Sequence, residues 1–222
     1  MNVNRRWAVK NLLGINVGHL IGYQNLKERL FDFFEAGIHY LSIYALSLEN
    51  LKKRSEDEIK YIFGIILDAV DAVIKEATVK EEKVNFNVIG RIYLLPQEVQ
   101  AKINELIEFT KENDQNFINL CIMYDGQEEI VDAVKKIIKN GVKEEDIDRH
   151  VIKNHLYTRN FPEVDYIIRT GMEDGARISG FLLWDASYAE FKFRTDLWPD
   201  YNKEMVFEDL EDYANRNRRK GK

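Results

Sequence analysis

Two arginines, a serine and a carboxylate gather near the carboxyl end of the chain, as Arg169, Arg177, Ser179 and Glu190. Arg169 closes an apolar run, Val164-Asp-Tyr-Ile-Ile-Arg169. Arg177 opens a second, Ile178-Ser-Gly-Phe-Leu-Leu-Trp184, with Glu190 beyond it. Planar guanidinium forks bind phosphate oxygens through paired, charge-assisted hydrogen bonds. A carboxylate adds a hard oxygen ligand of the kind Mg²⁺ accepts alongside substrate phosphates. The end of an apolar strand is also where open α/β sheets hold ligands. The structural alternative is a surface ion pair of Arg169 with Glu173 or Asp174.

A second group of polar residues lies near the start. Asn4-Arg5-Arg6-Trp7 has the character of a helix beginning, where unpaired backbone N–H groups attract anions. On their own, Arg5 and Arg6 read equally as a basic, solvated turn. His19 beside Gly18 offers a ring nitrogen, although a lone histidine is more often just a helix-face residue. Ser47, Asn50 and Arg54 follow an apolar run, and the chain closes on Arg219-Lys-Gly221. That basic tail also reads as a solvated terminus.

These groups must be held by alternating strands and helices. Apolar runs at 38–45, 84–90, 117–123 and 164–169 predict strands. Helical patterns fall near 20–36, 55–79, 96–113, 126–140 and 203–216. Gly37 stands where a helix-closing glycine belongs, and Ser55 with Glu58 forms a capping box. The alternation predicts an α/β fold, one domain over 1–222, with a mainly parallel sheet flanked by helices. The 55–79 helix carries apolar residues at 59, 62, 63, 66, 67, 70, 73 and 74, a stripe whose plain reading is burial. Only 3 prolines and an apolar fraction of 45% favour one core over a linker-rich chain. A net charge of −6 argues against general nucleic-acid binding. One cysteine, Cys121 in an apolar run, excludes a disulfide scaffold and suits a reducing compartment. No apolar run nears the ~18 residues of a membrane span, so the expected location is the cytoplasm or the periphery of a membrane.

Order and spacing of these segments resemble the cis-prenyltransferases, the undecaprenyl and dehydrodolichyl diphosphate synthase family. Asn4-Arg-Arg-Trp-Ala8 is similar to the second half of its Asp-Gly-Asn-x-Arg-Trp-Ala motif, and Gly18-His19 with Gly22 to its Gly-His-x-x-Gly element. Tyr44-Ala-Leu-Ser-Leu-Glu-Asn50, with Arg54 and Glu58, resembles the Tyr-Ala-Phe-Ser-x-Glu-Asn block. Asn119 to Tyr124 with Gly126 and Glu129, His155 to Thr158, and Arg177 to Glu190 with Leu197-Trp-Pro-Asp200 complete the series.

The resemblance implies prenyl transfer from an allylic prenyl diphosphate to isopentenyl diphosphate, with Mg²⁺, on a fold that holds the growing chain in a hydrophobic tunnel. It implies an allylic-diphosphate site at Asn4, Arg5, Arg6, Trp7 and His19. It implies an acceptor-diphosphate site at Arg54, Arg169, Arg177, Ser179, Arg219 and Gly221. Ser47 and Asn50 fall near the proton-loss geometry, and Glu190 holds metal. The helix at 55–79 walls the tunnel, with Phe63 and Gly64 affecting its depth. The tail and the Leu-Trp-Pro-Asp segment imply a homodimer, or a heterodimer with a homologue.

Departures cluster on the allylic side. Asn2 and Val3 replace the family's Asp-Gly, so Asn2 inherits a catalytic and metal-positioning place without the charge. Ile15 stands where an arginine is usual, Gln127 replaces another, and Gly180 replaces an asparagine. The loop Gly171 to Arg177 is two residues longer. The apolar strand that usually precedes the first motif is not seen, so either the recorded sequence lacks an amino-terminal strand or the sheet is one partial strand short. These departures keep open a non-catalytic subunit of a heteromeric enzyme, or a prenyl-lipid binding protein.

Overall fold

The computed structural model describes residues 2–217, apart from the side chains of Asn2 and Lys52. Helix α1 (Asn2–Lys10) and helix α2 (Ile15–Glu35) form a hairpin that leads into strand β1 (Tyr40–Ser47). Gly37 adopts φ +80° and its N–H bonds to the Phe34 carbonyl, closing α2 as expected. Helices α3 (Leu48–Lys52), α4 (Glu56–Lys75) and α5 (Ala77–Glu81) follow, then β2 (Val84–Ile89), α6 (Gln97–Thr110) and β3 (Asn116–Tyr124). Helix α7 (Gly126–Lys139), helix α8 (Arg149–His155), β4 (Tyr166–Arg169), β5 (Glu190–Phe193) and α9 (Lys203–Asn215) complete the order.

Every strand pairing is parallel, in two pieces: β1-β3-β2 and β4-β5. Among the described residues no strand pairs with the outer edge of β1. Strand β1 is partly exposed along most of its length. The β1–β3 ladder slips after Tyr44 and again after Leu46. Met123, at φ +53°, sits at the second slip. Bulges of this kind re-aim side chains at the rims of sheets.

Helices α4 and α6 pack on one face of the three-stranded sheet. Ile62, Val99 and Ile103 meet Leu46, Val88 and Ile122 in one apolar cluster, while Val70 and Leu106 meet Val84, Phe86 and Ile118 in a second. The apolar stripe of α4 is therefore largely core, as its spacing requires. The expected helix over 55–79 breaks at Glu76, whose extended backbone (φ −78°, ψ 114°) separates α4 from α5.

Two glycines set the α1–α2 hairpin. A Cβ on Gly18 would stand 2.4 Å from the Asn4 carbonyl oxygen, and one on Gly22 would stand 2.1 Å from the Asn4 amide nitrogen. The Gly-His-x-x-Gly spacing thus lets two helices touch. The segment Leu197-Trp-Pro-Asp200, expected at a dimer interface, instead clasps this hairpin within one chain. Trp198 Nε1 donates to the Gly22 carbonyl at 2.8 Å, Asn25 donates to the Trp198 carbonyl at 2.7 Å, and Trp7 Nε1 donates to Asp200 at 2.6 Å. Indole N–H groups need a partner once their rings pack, and here the partners are internal.

Candidate active site

The carboxyl ends of β1 and β4 and the amino ends of α1 and α2 converge on one cavity of about 1020 Å³. Asn4, Arg5, His19, Ser47, Asn50, Arg54, Arg169, Arg177 and Ser179 all line it. Nine of the residues singled out in the sequence are thereby brought to one place. The deeper wall is hydrocarbon: Ile65, Ile66, Ala69, Val70 and Val73 of α4 face Phe86, Val88, Leu120 and Ile122 of the sheet. Phe63 and Gly64 do not line it; Phe63 packs in the core and a Cβ on Gly64 would meet open space.

At one polar corner, Arg169 donates from Nη1 to the Arg177 carbonyl and, at 3.1 Å, to Ser179 Oγ. The alternative reading, an ion pair of Arg169 with Glu173 or Asp174, is not met among the described residues. Arg177 donates to the Asp174 carbonyl at 3.2 Å, and Glu173 pairs with Arg6 at 2.7 Å. Among the described residues neither Arg169 nor Arg177 makes a salt bridge with a carboxylate. Burial, and then the charge of Arg177, push the Arg169 guanidinium below its usual range. Two adjacent cations without a counter-charge suit a polyanion. Ser179 takes φ +50°, a costly backbone state for a non-glycine residue that clusters at ligand sites. Next to it Gly180 takes φ +76°, and its carbonyl accepts from the Gly126 N–H at 3.0 Å. Tyr44 holds this loop from the other side. Its ring stacks on Phe181 at 5.1 Å, and its hydroxyl donates to the carbonyls of Tyr124 at 3.2 Å and Ser179 at 3.4 Å.

A second polar corner is built around Glu58. Its Oε1 lies 2.9 Å from His19 Nε2, 3.5 Å from Arg54 Nε and 3.8 Å from Arg5 Nε. Ser55 does cap α4, accepting from the Glu58 N–H at 3.3 Å. The reciprocal half of the capping box is not made, because the Glu58 carboxylate has turned to these cations. Burial, its largest influence, holds the His19 pKa below 6.5. The neutral ring donates from Nε2–H to Glu58, so Nδ1 is a buried acceptor with no hydrogen-bond partner. His19 can donate to an anion from Nδ1 only after gaining a proton, which an arriving diphosphate would favour. Asn4 Oδ1 is likewise buried and unpartnered.

Other expected site residues fall elsewhere. Arg6 donates to the Gly171 carbonyl at 2.6 Å and Trp7 is held by Asp200. Both turn away from the cavity because they follow Asn4 and Arg5 around the helix, and Arg6 straps α1 to the lengthened 171–177 loop. Glu190 begins β5 opposite Tyr166, while Arg169 lies at the other end of that ladder opposite Phe193. Arg216 pairs with Glu190 at 3.0 Å. Glu190 therefore stands at the opposite end of the β4–β5 ladder from Arg169. Arg219 and Gly221, and the side chain of Asn2, lie outside the described residues. Among the described residues no three His, Cys, Asp or Glu side chains gather as a metal site, so these residues do not form a cage for Mg²⁺. Tyr44 is the functional neighbour that residue chemistry alone did not single out; its place in the Tyr-Ala-Leu-Ser block was the available signal.

A parallel α/β sheet with an apolar cavity and an arginine pair free of carboxylates at its mouth suits a ligand with an anionic head and an apolar tail. The family model "Putative undecaprenyl diphosphate synthase" matches residues 1–221, and the chain belongs to that family of cis-prenyltransferases. It is 38% identical over 224 residues to an isoprenyl transferase of Rickettsia prowazekii, spanning 100% of this chain and 95% of that protein. It is 36% identical over 222 residues to the geranylgeranyl-diphosphate-specific tritrans,polycis-undecaprenyl-diphosphate synthase of Sulfurisphaera tokodaii, spanning 98% and 84%. Its fold is similar to lavandulyl diphosphate synthase of Lavandula x intermedia, solved with dimethylallyl diphosphate, with TM-score 0.90 and 29% identity over 99% of this chain and 94% of that one. The chain is a prenyltransferase that forms cis-prenyl products; the readings as a non-catalytic subunit or a lipid carrier are not favoured.

Proposed function

We propose that the chain condenses isopentenyl diphosphate with an allylic prenyl diphosphate, and that Arg169, Arg177 and Ser179 hold the acceptor's diphosphate. The observation that carries this reading is the arginine pair without a carboxylate counter-charge at the mouth of an apolar cavity. The allylic diphosphate would rest at the other corner, on Asn4, Arg5 and a protonated His19, with its hydrocarbon running as in a tunnel along α4. In the reaction the allylic C1–O bond breaks and diphosphate departs with the electron pair. The terminal alkene carbon of the acceptor bonds to C1, which leaves a cation on the acceptor's substituted alkene carbon. The methylene between that carbon and the acceptor's diphosphate arm gives up a proton to the departing diphosphate to form the new double bond.

Guanidinium groups stabilise charge on diphosphate oxygens, the electrostatic assistance that usually dominates such catalysis. Ser47 is fixed by capping α3, accepting from the Asn50 N–H at 3.1 Å, so Ser47 and Asn50 orient the acceptor rather than act as strong bases. Mg²⁺ would enter mainly on the substrates' diphosphate oxygens, its common ligands. A homodimer fits the outward stripe of α7, where Val131, Val134 and Ile138 are 43%, 44% and 72% exposed. No helix among the described residues is long and apolar enough to cross a membrane, in keeping with work in the cytoplasm or at a membrane periphery.

Steady-state assays with labelled isopentenyl diphosphate test the assignment. Arg169→Ala should raise the acceptor KM by about tenfold or more, since a hydrogen bond to a charged group contributes roughly 1.5–3 kcal/mol. The allylic KM should change far less. Normal acceptor half-saturation in both Arg169→Ala and Arg177→Ala would overturn it.

A further inference from the structure

We propose that the turn joining α1 and α2 is a docking surface for a lipid bilayer with anionic head groups. Five apolar side chains crowd this one tip into solvent: Val9 at 66% exposure, Leu12 at 94%, Leu13 at 44%, Val17 at 40% and Leu20 at 38%. A contiguous apolar tip is uncommon on a soluble protein and marks an interaction site. Backbone geometry makes the case stronger at Leu12. This residue closes α1 in the left-handed region, at φ 57°, with its N–H bonded to the Val9 carbonyl at 3.1 Å and the following Leu13 N–H bonded to the Ala8 carbonyl at 2.9 Å. Glycine is the residue that fits such a helix end without strain. The chain instead holds a leucine there and points it wholly outward, which nothing in the packing of this chain rewards.

Charge identifies the occupant. Residues 2–27 contain Arg5, Arg6, Lys10 and Lys27 but none of the chain's 38 acidic residues, although the whole chain carries −6. Arg5 pairs with the buried Glu58 and Arg6 with the exposed Glu173, leaving the exposed Lys10 beside the apolar tip. Leucines beside an exposed lysine, on a hairpin whose own sequence carries no carboxylate, suit the boundary between acyl chains and anionic head groups. The same two helices line the cavity through Asn4, His19 and Tyr23, so docking by this tip sets the cavity against the phase into which a prenyl product partitions. The inference rests on the hairpin's surface and not on the roles given to Arg169, Arg177 or His19.

Cosedimentation of the full chain with phosphatidylcholine vesicles containing phosphatidylglycerol tests it. The wild-type chain should pellet with the vesicles, and less with phosphatidylcholine alone. Leu12→Gly and Leu13→Ser should each weaken partition by about tenfold, as expected for removing one buried leucine side chain. Leu12→Gly should at the same time raise the melting temperature, because it relieves the left-handed leucine; that pairing separates lost docking from lost folding. Turnover of short substrates free of vesicles should be unchanged in both variants. Wild-type protein left in the supernatant, or variants that pellet as well as wild type, would overturn the proposal. So would vesicle-free self-association that disappears in Leu12→Gly, which would assign the tip to a protein interface.

Discussion

Substituting each of the two α2 glycines by alanine should separate packing from chemistry at the α1–α2 contact. Both lie inside a helix, where alanine is favoured over glycine by about 1 kcal/mol. At Gly18 the new Cβ would meet main chain, 2.4 Å from the Asn4 carbonyl oxygen and 2.9 Å from Ala8 Cβ. Main chain cannot step aside, so α1 must shift, and overpacking of this kind costs roughly 1–3 kcal/mol and sometimes more. The expected net loss for Gly18→Ala is about 1–2 kcal/mol, a fall in melting temperature of about 2–8 °C for a chain of this size. At Gly22 the three nearest atoms all belong to the Asn4 side chain, at 2.1 Å, 2.6 Å and 2.8 Å from its Nδ2, Cγ and Oδ1. Asn4 can rotate away, so Gly22→Ala should keep its stability within about 1 kcal/mol. It should nevertheless lose activity, because the Asn4 side chain, whose Nδ2–H is its donor to a diphosphate oxygen, is driven from the cavity wall. Loss of one charge-assisted contact predicts a drop in kcat/KM of about tenfold or more for the allylic substrate. Calorimetry and steady-state kinetics on both variants, with Asn4→Ala as the partner in a double-mutant cycle, give the answer. A Gly18→Ala chain that melts above wild type, or a Gly22→Ala chain with full activity, would refute the reasoning.

Tyr44→Phe should raise the acceptor KM several-fold with little change in kcat or melting temperature, because only the hydroxyl that supports the Ser179 carbonyl is removed; equal effects on both substrates would count against it. His19, held neutral by burial, has a folded pKa below 6.5. As pH falls below that value the unfolded chain takes a proton that the folded chain resists, so stability is present above 6.5 and lost on acidification. The acid side of a melting-temperature profile should therefore be shallower in His19→Gln, and an unchanged slope would show that His19 does not contribute. Asn2→Asp restores the charge expected of its motif position and should raise turnover by up to roughly two orders of magnitude, equivalent to ~3 kcal/mol, measured at saturating Mg²⁺; an unchanged rate would show that this carboxylate does not limit the reaction.

Residues whose environment is set within a few positions were legible from sequence. Ser55 caps α4, Gly37 closes α2, and the runs at 84–90 and 117–123 became parallel strands. The site was legible as a set, since nine candidates share one cavity. What escaped were choices made between distant partners. Glu58 could complete a capping box locally or serve His19, 39 positions away, and the buried ring won. Arg6 sits in a diphosphate motif yet bonds to Gly171, 165 positions on, and no periodicity in α1 announces that. Glu190 shares its segment with Arg177, but strand register carries it to the far end of the β4–β5 ladder, where Arg216 neutralises it.

The outer edge of β1 gives the cavity two unlike flanks. Consecutive residues 37–45 and 161–170 line it, so along those stretches the wall includes peptide groups as well as side chains. With no strand beside β1 among the described residues, its outward N–H and C=O groups have no ladder to join, and such groups seek hydration when denied partners. The opposite flank, made by Ile65, Ile66, Ala69 and Val73, offers only methyl and methylene surface. A growing chain of isoprene units would accordingly track α4 rather than the peptide-lined side, so the part of this cavity that suits a hydrocarbon is narrower than its volume implies.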